Sequence, residues 1–342
     1  MTAPVVSVVL PVYNAAHAVE AAVSSVLGQR LRELELIIVD DGSTDGTDSV
    51  LRLIDDPRLV VVRHPKNRGY VAAVRTGIEH TSTDIVARMD ADDVAHQDRL
   101  AREYELLQQR PEVGLVATGF VSVDEHGQEL RRHEPPPDHG SAWFRLLFAN
   151  CLAHPTTMYR RAVFDAVGGY RDDCFPADDH DLWLRMAEVT EIATISDALL
   201  WYQQADSSMS VQLHEAMDDA SVGVSARVLE RIIGHRPSER ILRGLRSSDP
   251  VLECRDVHEM LDVVLPAYLA IRRACRARGI STRRLRKQLA PVLLRGGLRG
   301  PDGTWCPAGI ARLIARRPRT AGVLAFDRIA ARSRPGTRDR SR

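Results

Sequence analysis

Short apolar runs alternate with polar, helix-like segments over the first 125 residues. The runs VVSVVLPV (5–12), LELIIVD (34–40), RLVVVRH (58–64), DIVARMD (84–90) and VGLVATGFVSV (113–123) are rich in Val and Ile and end in turn chemistry. That is the pattern of parallel strands covered on both faces. Segments 15–28, 45–54, 69–80 and 97–109 lie between them and read as helices. Strands alternating with helices predict a doubly wound, mostly parallel α/β sheet. Such sheets bind ligands in the crevice at the carboxyl ends of their strands. Polar residues gather at three of those ends: PVYN after the first strand, Asp40-Asp41-Gly42-Ser43 after the second and Asp90-Ala91-Asp92-Asp93 after the fourth.

The breaker HEPPPDHG (133–140) marks a connection. Beyond it the pattern predicts a helix near 141–149, an extended HPTTMYR (154–160) and a helix ending at Gly168-Gly169. FPADDHDLWLRMAEV (175–189) and a strand, IATISDALLWYQQ (192–204), follow. From about 212 the apolar spacing is helical, and 318–342, rich in Arg, Pro and Gly, is expected to be poorly ordered.

Composition changes this picture little. A hydrophobic content of 44% with 27% charged residues suits an ordinary globular core. No run of 18 apolar residues predicts a membrane span, and MTAPVVSVVLPVYN lacks the basic start of a signal peptide. Five cysteines, none in a CxxC, predict reduced thiols and a cytoplasmic chain. Charge changes it more. Residues 271–342 hold 20 Lys and Arg against three Asp, a net +17, so the preceding 270 carry −17. An acidic body with a basic end predicts contact with an anionic surface, such as the inner face of a membrane, against the plainer reading of a solvated tail. Nucleic acid is not expected, because Trp305 and Phe326 are the only aromatic residues of 271–342 that offer bases a stacking surface.

Three constellations carry candidate chemistry. In ARMDADDVAHQDRL (87–100), Asp90 and Asp92 at a strand end offer hard oxygen ligands, suited to Mg²⁺ or Mn²⁺ carrying a diphosphate. The structural alternative is Asp93 capping the next helix. In DDGSTDGT (40–47) a calcium loop is excluded by Arg52 where a bidentate Glu is needed. A turn with Ser43 or Thr44 as helix cap remains, with Asp40 or Asp41 facing the crevice to accept a ring N–H such as that of uracil. In PADDHDLWLRM (176–186), Asp178, Asp179 and Asp181 fall at a helix start, more acids than a cap needs, so one is a candidate general base. KNRGYVAAVRTG (66–77) adds Lys66, Arg68 and Arg75 near another helix start, where phosphate oxygens are welcome, against the plainer reading of a solvated basic loop for Lys66.

Taken in order, VSVVLPVYNAA, IIVDDGSTDGT, NRGYVAAVRTGI, ARMDADDVAHQDRL, NCLAHPTTMYRRAVFDAVGGYR and ADDHDLWLRMA resemble the family 2 glycosyltransferases of GT-A fold, over roughly residues 4–211. The resemblance implies a GT-A domain over 1–211, with a nucleotide-binding half (1–132) and an acceptor half (141–211). A helical extension (212–317) and a basic tail (318–342) would follow. It implies inverting transfer of a sugar from a nucleotide diphosphate, with UDP or dTDP favoured, to a hydroxyl of a glycan or lipid-linked acceptor in cell-surface polysaccharide assembly. Asp41 with Asp40 would hold the base, and Pro11, Tyr13 and Asn14 would shape the nucleoside pocket. Asn67 and Arg75 would also serve the donor. Asp90 and Asp92 would hold the metal, Asp92 directly. Asp179 would be the general base, with Asp178 where the family more often has Glu. The segment YQQADSSMS (202–210) departs from a common YRxHxxSxS pattern: Tyr202, Ser207 and Ser210 remain, but Gln203 and Ala205 replace Arg and His. A cation for the diphosphate is then sought at His154 or in the tail. The rival readings are a polyprenyl-phosphate sugar synthase, a nucleotidyltransferase, which PVYNAAHAVE disfavours for want of a Gly-rich phosphate loop, and a non-catalytic nucleotide-sugar-binding protein.

Overall fold

A computed structural model describes residues 2–204, 208–246, 252 and 256–293. The chain divides into two compact units after Val224. The first unit begins with β1 (Val6–Val12), α1 (Val19–Leu27), β2 (Leu34–Asp40), α2 (Thr47–Leu51), β3 (Leu59–Arg63), α3 (Tyr70–Glu79) and β4 (Ile85–Arg88). These four strands lie parallel in the order β3-β2-β1-β4. The chain winds outward from β1 to β3 and then returns to the other side of β1, so the switch point falls between β1 and β4.

The period of two along β1 and β2 assigns their side chains to opposite layers. Val6, Val8, Leu10, Leu34, Leu36 and Ile38 pack with Val19, Val23 and Val26 of α1. Ile37 and Val39 pack with Ala73 of α3 on the other face. α3 sits so close that a Cβ on Gly77 would lie 2.4 Å from Cγ1 of Val9. β3 is the edge, which is why Val60 and Val61 remain 41% and 44% exposed although the sequence suggests a fully covered strand.

The sheet continues with elements the pattern predicted and two short strands, β5 and β7, that it did not separate. β5 (Val94–Ala95) precedes α4 (Arg99–Gln109), then come β6 (Val113–Val123), β7 (Glu129–His133), α5 (His139–Leu146), β8 (Thr157–Arg160), α6 (Arg161–Ala166), α7 (Asp178–Val189) and β9 (Glu191–Gln203). β8 is the extended HPTTMYR segment and inserts antiparallel between β4 and β6, while β9 runs parallel to β6 and antiparallel to β5. The result is one mixed sheet flanked by helices, parallel throughout β3 to β4. α5 starts where Asp138 accepts a hydrogen bond from the Ser141 amide at 2.9 Å. The short α8 (Met209–Gln212) and α9 (His214–Ile233) follow β9.

In the second unit the described residues form helices: α10 (Glu239–Arg246), α11 (Val257–Ala277) and α12 (Leu285–Leu293). α11 buries Met260, Leu261, Val264, Tyr268 and Ile271. Its spacing of three and four is the helical pattern the sequence carries from about 212. Among the described residues no helix is long and apolar enough to cross a membrane. The expected tail at 318–342 lies outside the described residues.

Candidate functional site

β1 and β4 part company where the crevice opens. Their pairing ends at Val9↔Arg88, and the Met89 amide donates to Val9 O. Two residues further on, Pro11 faces the same side and has no N–H to offer a neighbour, so the ladder stops there. Tyr13 follows at 48% exposure, and Asn14 adopts φ +50°, one of the few side chains at ease there. Asn14 Oδ1 accepts from the Thr44 amide at 2.8 Å, and the Asn14 amide donates to Ser43 Oγ at 2.9 Å. The β1 and β2 corners are thus tied together.

Asp40 and Asp41 end β2, both buried. Asp40 Oδ1 accepts from the Ser43 amide at 2.9 Å, and Arg63 Nε lies 3.4 Å from its Oδ2. Asp41 accepts from His64 Nδ1 at 2.6 Å and from the Arg68 and Gly69 amides at 2.9 and 2.8 Å. Asp41 therefore fastens the loop before α3. Gly42 makes that possible: at φ +77°, a Cβ would lie 2.6 Å from the Lys66 carbonyl carbon. Neither Ser43 nor Thr44 caps α2. The Ncap is Gly46, and Asp45 Oδ1 instead accepts from the Thr47 amide and hydroxyl at 3.0 and 2.6 Å. Asn67 Oδ1 accepts from the Gly69 amide at 2.9 Å, and Lys66 and Arg68 are exposed beside it. Arg75 lies one turn into α3 and pairs with Asp172 at 2.9 Å, its second contact being Tyr170 O at 3.3 Å.

The second acid group follows β4. Asp90 and Asp92 are partly open, and Asp93 is buried. Asp93 does not cap α4, whose Ncap is Asp98; β5 intervenes, and Asp93 Oδ1 accepts from the Gln203 amide at 2.9 Å. Its Oδ2 has no hydrogen-bond partner. Burial pushes Asp90 above the usual carboxylate range against the pull of Arg88. Burial and then the charge of Asp90 push Asp92 up to about 6. Asp93 is raised well above its usual value by burial and by both neighbours. Ser208 Oγ lies 3.4 Å from Asp92 Oδ2. Ser207 and Ala205 lie outside the described residues. Gln203 sends its side-chain amide to Asp124 O at 2.8 Å, not to the acids.

Arg88 is the residue that sequence reasoning passed over. It is fully buried at the end of β4. Its Nη2 reaches Asp90 Oδ1 at 3.3 Å and Tyr70 Oη at 2.9 Å, its Nε reaches His154 Nε2 at 3.1 Å, and its Nη1 bonds Val9 O. A guanidinium interrupting the apolar run DIVARM was the available signal, because buried arginines need partners. His154 is corrected in turn. It is buried among Arg88, Tyr70 and Tyr170, and burial together with the Arg88 charge drives its pKa well below the usual histidine value. A neutral ring cannot be the missing cation.

The third group starts α7. Ala177 is the Ncap and no side chain caps the helix, so capping explains none of the three acids. Asp181 pairs with Arg185 at 2.7 Å, and Arg185 holds the Val167 and Gly169 carbonyls at 2.6 and 2.7 Å. Asp178 is buried with Oδ2 unpartnered, and burial raises it to about 6. Asp179 keeps some exposure. It accepts from Asn150 Nδ2 at 2.8 Å and from its neighbour's amide at 2.6 Å. Burial, then the charge of Asp178, raises Asp179 to about 7. Asp90 contributes repulsion to both, so the strand-end and helix-start acids share one electrostatic site.

Among the described residues no three His, Cys, Asp or Glu side chains converge as a ready-made metal cage. Mg²⁺ or Mn²⁺ does not require one: Mg²⁺ takes one or two carboxylates and completes its shell with water and phosphate oxygens. Asp92, which the Ser208 hydroxyl reaches at 3.4 Å, and Asp90 supply the hard oxygens, so the residues fit such a cation.

A sheet of this order with acids at its switch point is the frame of the GT-A glycosyltransferases. The mannosyltransferase PcManGT from Pyrobaculum calidifontis, solved with GDP-Man and Mn²⁺, matches with a TM-score of 0.52 at 20% identity, over 98% of this chain and 82% of that one. Residues 1–349 of TarS from S. aureus, solved with UDP-GlcNAc, match with a TM-score of 0.53 at 14% identity, over 92% of each chain. In sequence, residues 7–168 match the model of glycosyl transferase family 2. The O-antigen biosynthesis glycosyltransferase WbnJ of Escherichia coli is 30% identical over 186 residues, 53% of this chain and 71% of that protein. The amylovoran biosynthesis glycosyltransferase AmsE of Erwinia amylovora is 27% identical over 199 residues, 57% and 74% of the two chains. The chain belongs to glycosyltransferase family 2.

Proposed function

We propose that this protein is an inverting, divalent-metal-dependent hexosyltransferase. It moves a sugar from a UDP- or dTDP-linked donor to a hydroxyl of a glycan or lipid-linked acceptor during polysaccharide assembly. The observation that carries the reading is the under-compensated acid pair Asp178–Asp179 in electrostatic reach of Asp90. A carboxylate titrating near 7 is matched to taking a proton from an incoming hydroxyl at neutral pH. Asn150 orients it through the 2.8 Å bond. Asp178 supports the base through its charge, which raises Asp179. The names of the relatives, O-antigen and amylovoran biosynthesis, support a surface polysaccharide as product.

In this reading Asp41 meets the base. Three accepted hydrogen bonds leave its carboxylate a lone pair for a ring N–H. Asp40 backs it, and Pro11, Tyr13 and Asn14 form the adjoining wall. Asn67 and the exposed Lys66 and Arg68 lie on the phosphate side, with Arg75 acting through Asp172. Asp92, with Asp90, would hold Mg²⁺ or Mn²⁺, which when bound neutralises the charge of the departing diphosphate. Residues 1–211 form the catalytic part, and the basic stretch 271–342 brings the protein to the anionic inner face of a membrane. The test is titration of UDP, GDP, CDP and dTDP with and without Mn²⁺ on wild type and Asp92→Ala. Tight UDP or dTDP binding that needs both metal and Asp92 is the expected result. Binding of no nucleotide with any metal overturns the reading.

A further inference from the structure

Arg88, Tyr70, His154 and Tyr170 form one polar network beside Asp90. Its proton arrangement follows from elementary chemistry. Arginine only donates, so Tyr70 Oη accepts from Arg88 Nη2 at 2.9 Å and His154 Nε2 accepts from Arg88 Nε at 3.1 Å. With Nε2 bare, the neutral ring carries its proton on Nδ1 and donates to Tyr70 Oη at 3.0 Å. Tyr70 then spends its one proton on Asp90 Oδ1 at 3.1 Å. Its oxygen accepts twice and donates once, the full capacity of a phenol. Tyr170 Oη lies 2.6 Å from the same Nε2 and shares that acceptor with Arg88. Arg88 itself also reaches Asp90 Oδ1 at 3.3 Å.

The two contacts this network makes with Asp90, from Tyr70 Oη and Arg88 Nη2, both engage Oδ1. The members of the network come from four places in the fold: the end of β4, the first residue of α3, the turn before β8 and the loop before α7. Tyr70 also directly follows Gly69, whose amide Asp41 holds at 2.8 Å. The base-side acid and the strand-end acid are therefore braced by neighbouring residues of one segment.

The geometry points to Tyr70, held by Arg88 and His154, as a positioning residue that fixes Asp90 by Oδ1 and leaves Oδ2 to face the donor and its cation. This rests on the donor site proposed above. Supporting groups of this kind around a metal-binding carboxylate change metal affinity about 10- to 100-fold when removed. The experiment is Mn²⁺-dependent UDP binding by titration calorimetry, Mn²⁺ binding by electron paramagnetic resonance, and thermal melting without metal, on wild type, Tyr70→Phe and Tyr170→Phe. Tyr70→Phe keeps the ring and removes the bond to Asp90. It is expected to weaken Mn²⁺ binding about 10-fold or more while its melting matches that of Tyr170→Phe, which leaves the Asp90 bond intact and keeps near wild-type Mn²⁺ affinity. Equal Mn²⁺ affinity in Tyr70→Phe and wild type overturns the positioning role while leaving the donor site standing. Absence of Mn²⁺-dependent binding in wild type overturns both. Should Tyr70→Phe fail to fold, His154→Gln, which removes the Nδ1 donor behind Tyr70, is read by the same Mn²⁺ measurement, with the same two outcomes.

Discussion

Two acid pairs at the same crevice are treated in opposite ways. Asp40 and Asp41 are buried and mostly compensated: amides of Ser43, Arg68 and Gly69 and the His64 ring donate to them, and Asp40 Oδ2, which lacks a hydrogen bond, still has the Arg63 charge 3.4 Å away. Asp178 and Asp179 are crowded and short of donors, with Asp178 Oδ2 unpartnered and Asp179 leaning on Asn150 and one amide. The first pair holds its loops in shape before any ligand arrives. The second stores repulsion that a proton or a ligand relieves, which is how a fold keeps a base reactive at neutral pH. Asp90 stands between the two, anchored by Arg88 and Tyr70 on one oxygen. Asp92 has a long contact with the Ser208 hydroxyl and the charge of Asp90 pressing on it.

The comparison is tested first where the acids are least compensated. Asp92→Ala is expected to reduce sugar transfer by at least ~10³-fold, since the cation it would hold contributes several kcal/mol to the leaving group. A radiolabelled-donor assay with Mn²⁺ measures it, and near wild-type transfer would remove Asp92 from the site. Asp179→Asn comes next, with kcat down ~10²- to 10³-fold. UDP affinity by calorimetry should stay unchanged, because the base touches the acceptor and not the nucleotide.

The compensated pair should respond in stability instead. Asp41→Ala strands the Arg68 and Gly69 amides and the His64 ring, at about 3 kcal/mol. Urea unfolding followed by circular dichroism measures this, and a loss of only a few tenths would mean that Asp41 is not a structural tie. Asp179→Asn should behave oppositely. A carboxyl raised from 3.8 to about 7 in the fold takes up a proton on folding between those values. Wild-type stability therefore falls as pH rises from about 4 to about 7. With chelator present, Asp179→Asn should match wild type near pH 4 and exceed it at pH 8.5. The smallest effect belongs to Asn150→Ala. Its amide bond lowers the Asp179 pKa, so its loss moves the rising limb of the kcat–pH profile upward by about half a unit to one unit. A shift downward would show that Asp179 is not the titrating base.

β1, β2 and β4, and the acids at the ends of β2 and β4, were legible in the sequence. A strand covered on both faces must be a continuous apolar run, and the turn that ends it needs Gly, Asp or Ser at fixed positions; both signals are local. α2 was overdrawn, from 45–54 to Thr47–Leu51, because a run that short is held by Asp45 and by tertiary packing more than by its own period. β5 and the antiparallel insertion of β8 are decided by partners far along the chain, Trp201 and Leu200 for β5, and β4 and β6 for β8. DDGS and DADD look alike on paper, and nothing within either tetrad says which will be satisfied. By itself the sequence determined the layer order and which strand ends carry acid. Only the tertiary structure decided which acids found donors: His64 and Gly69 lie 23 and 28 residues from Asp41, and Asn150 lies 29 from Asp179. Arg88 meets His154 across 66 residues. Hydrogen bonds and burial act over a few ångströms of space, and space is assigned only when the sheet has closed.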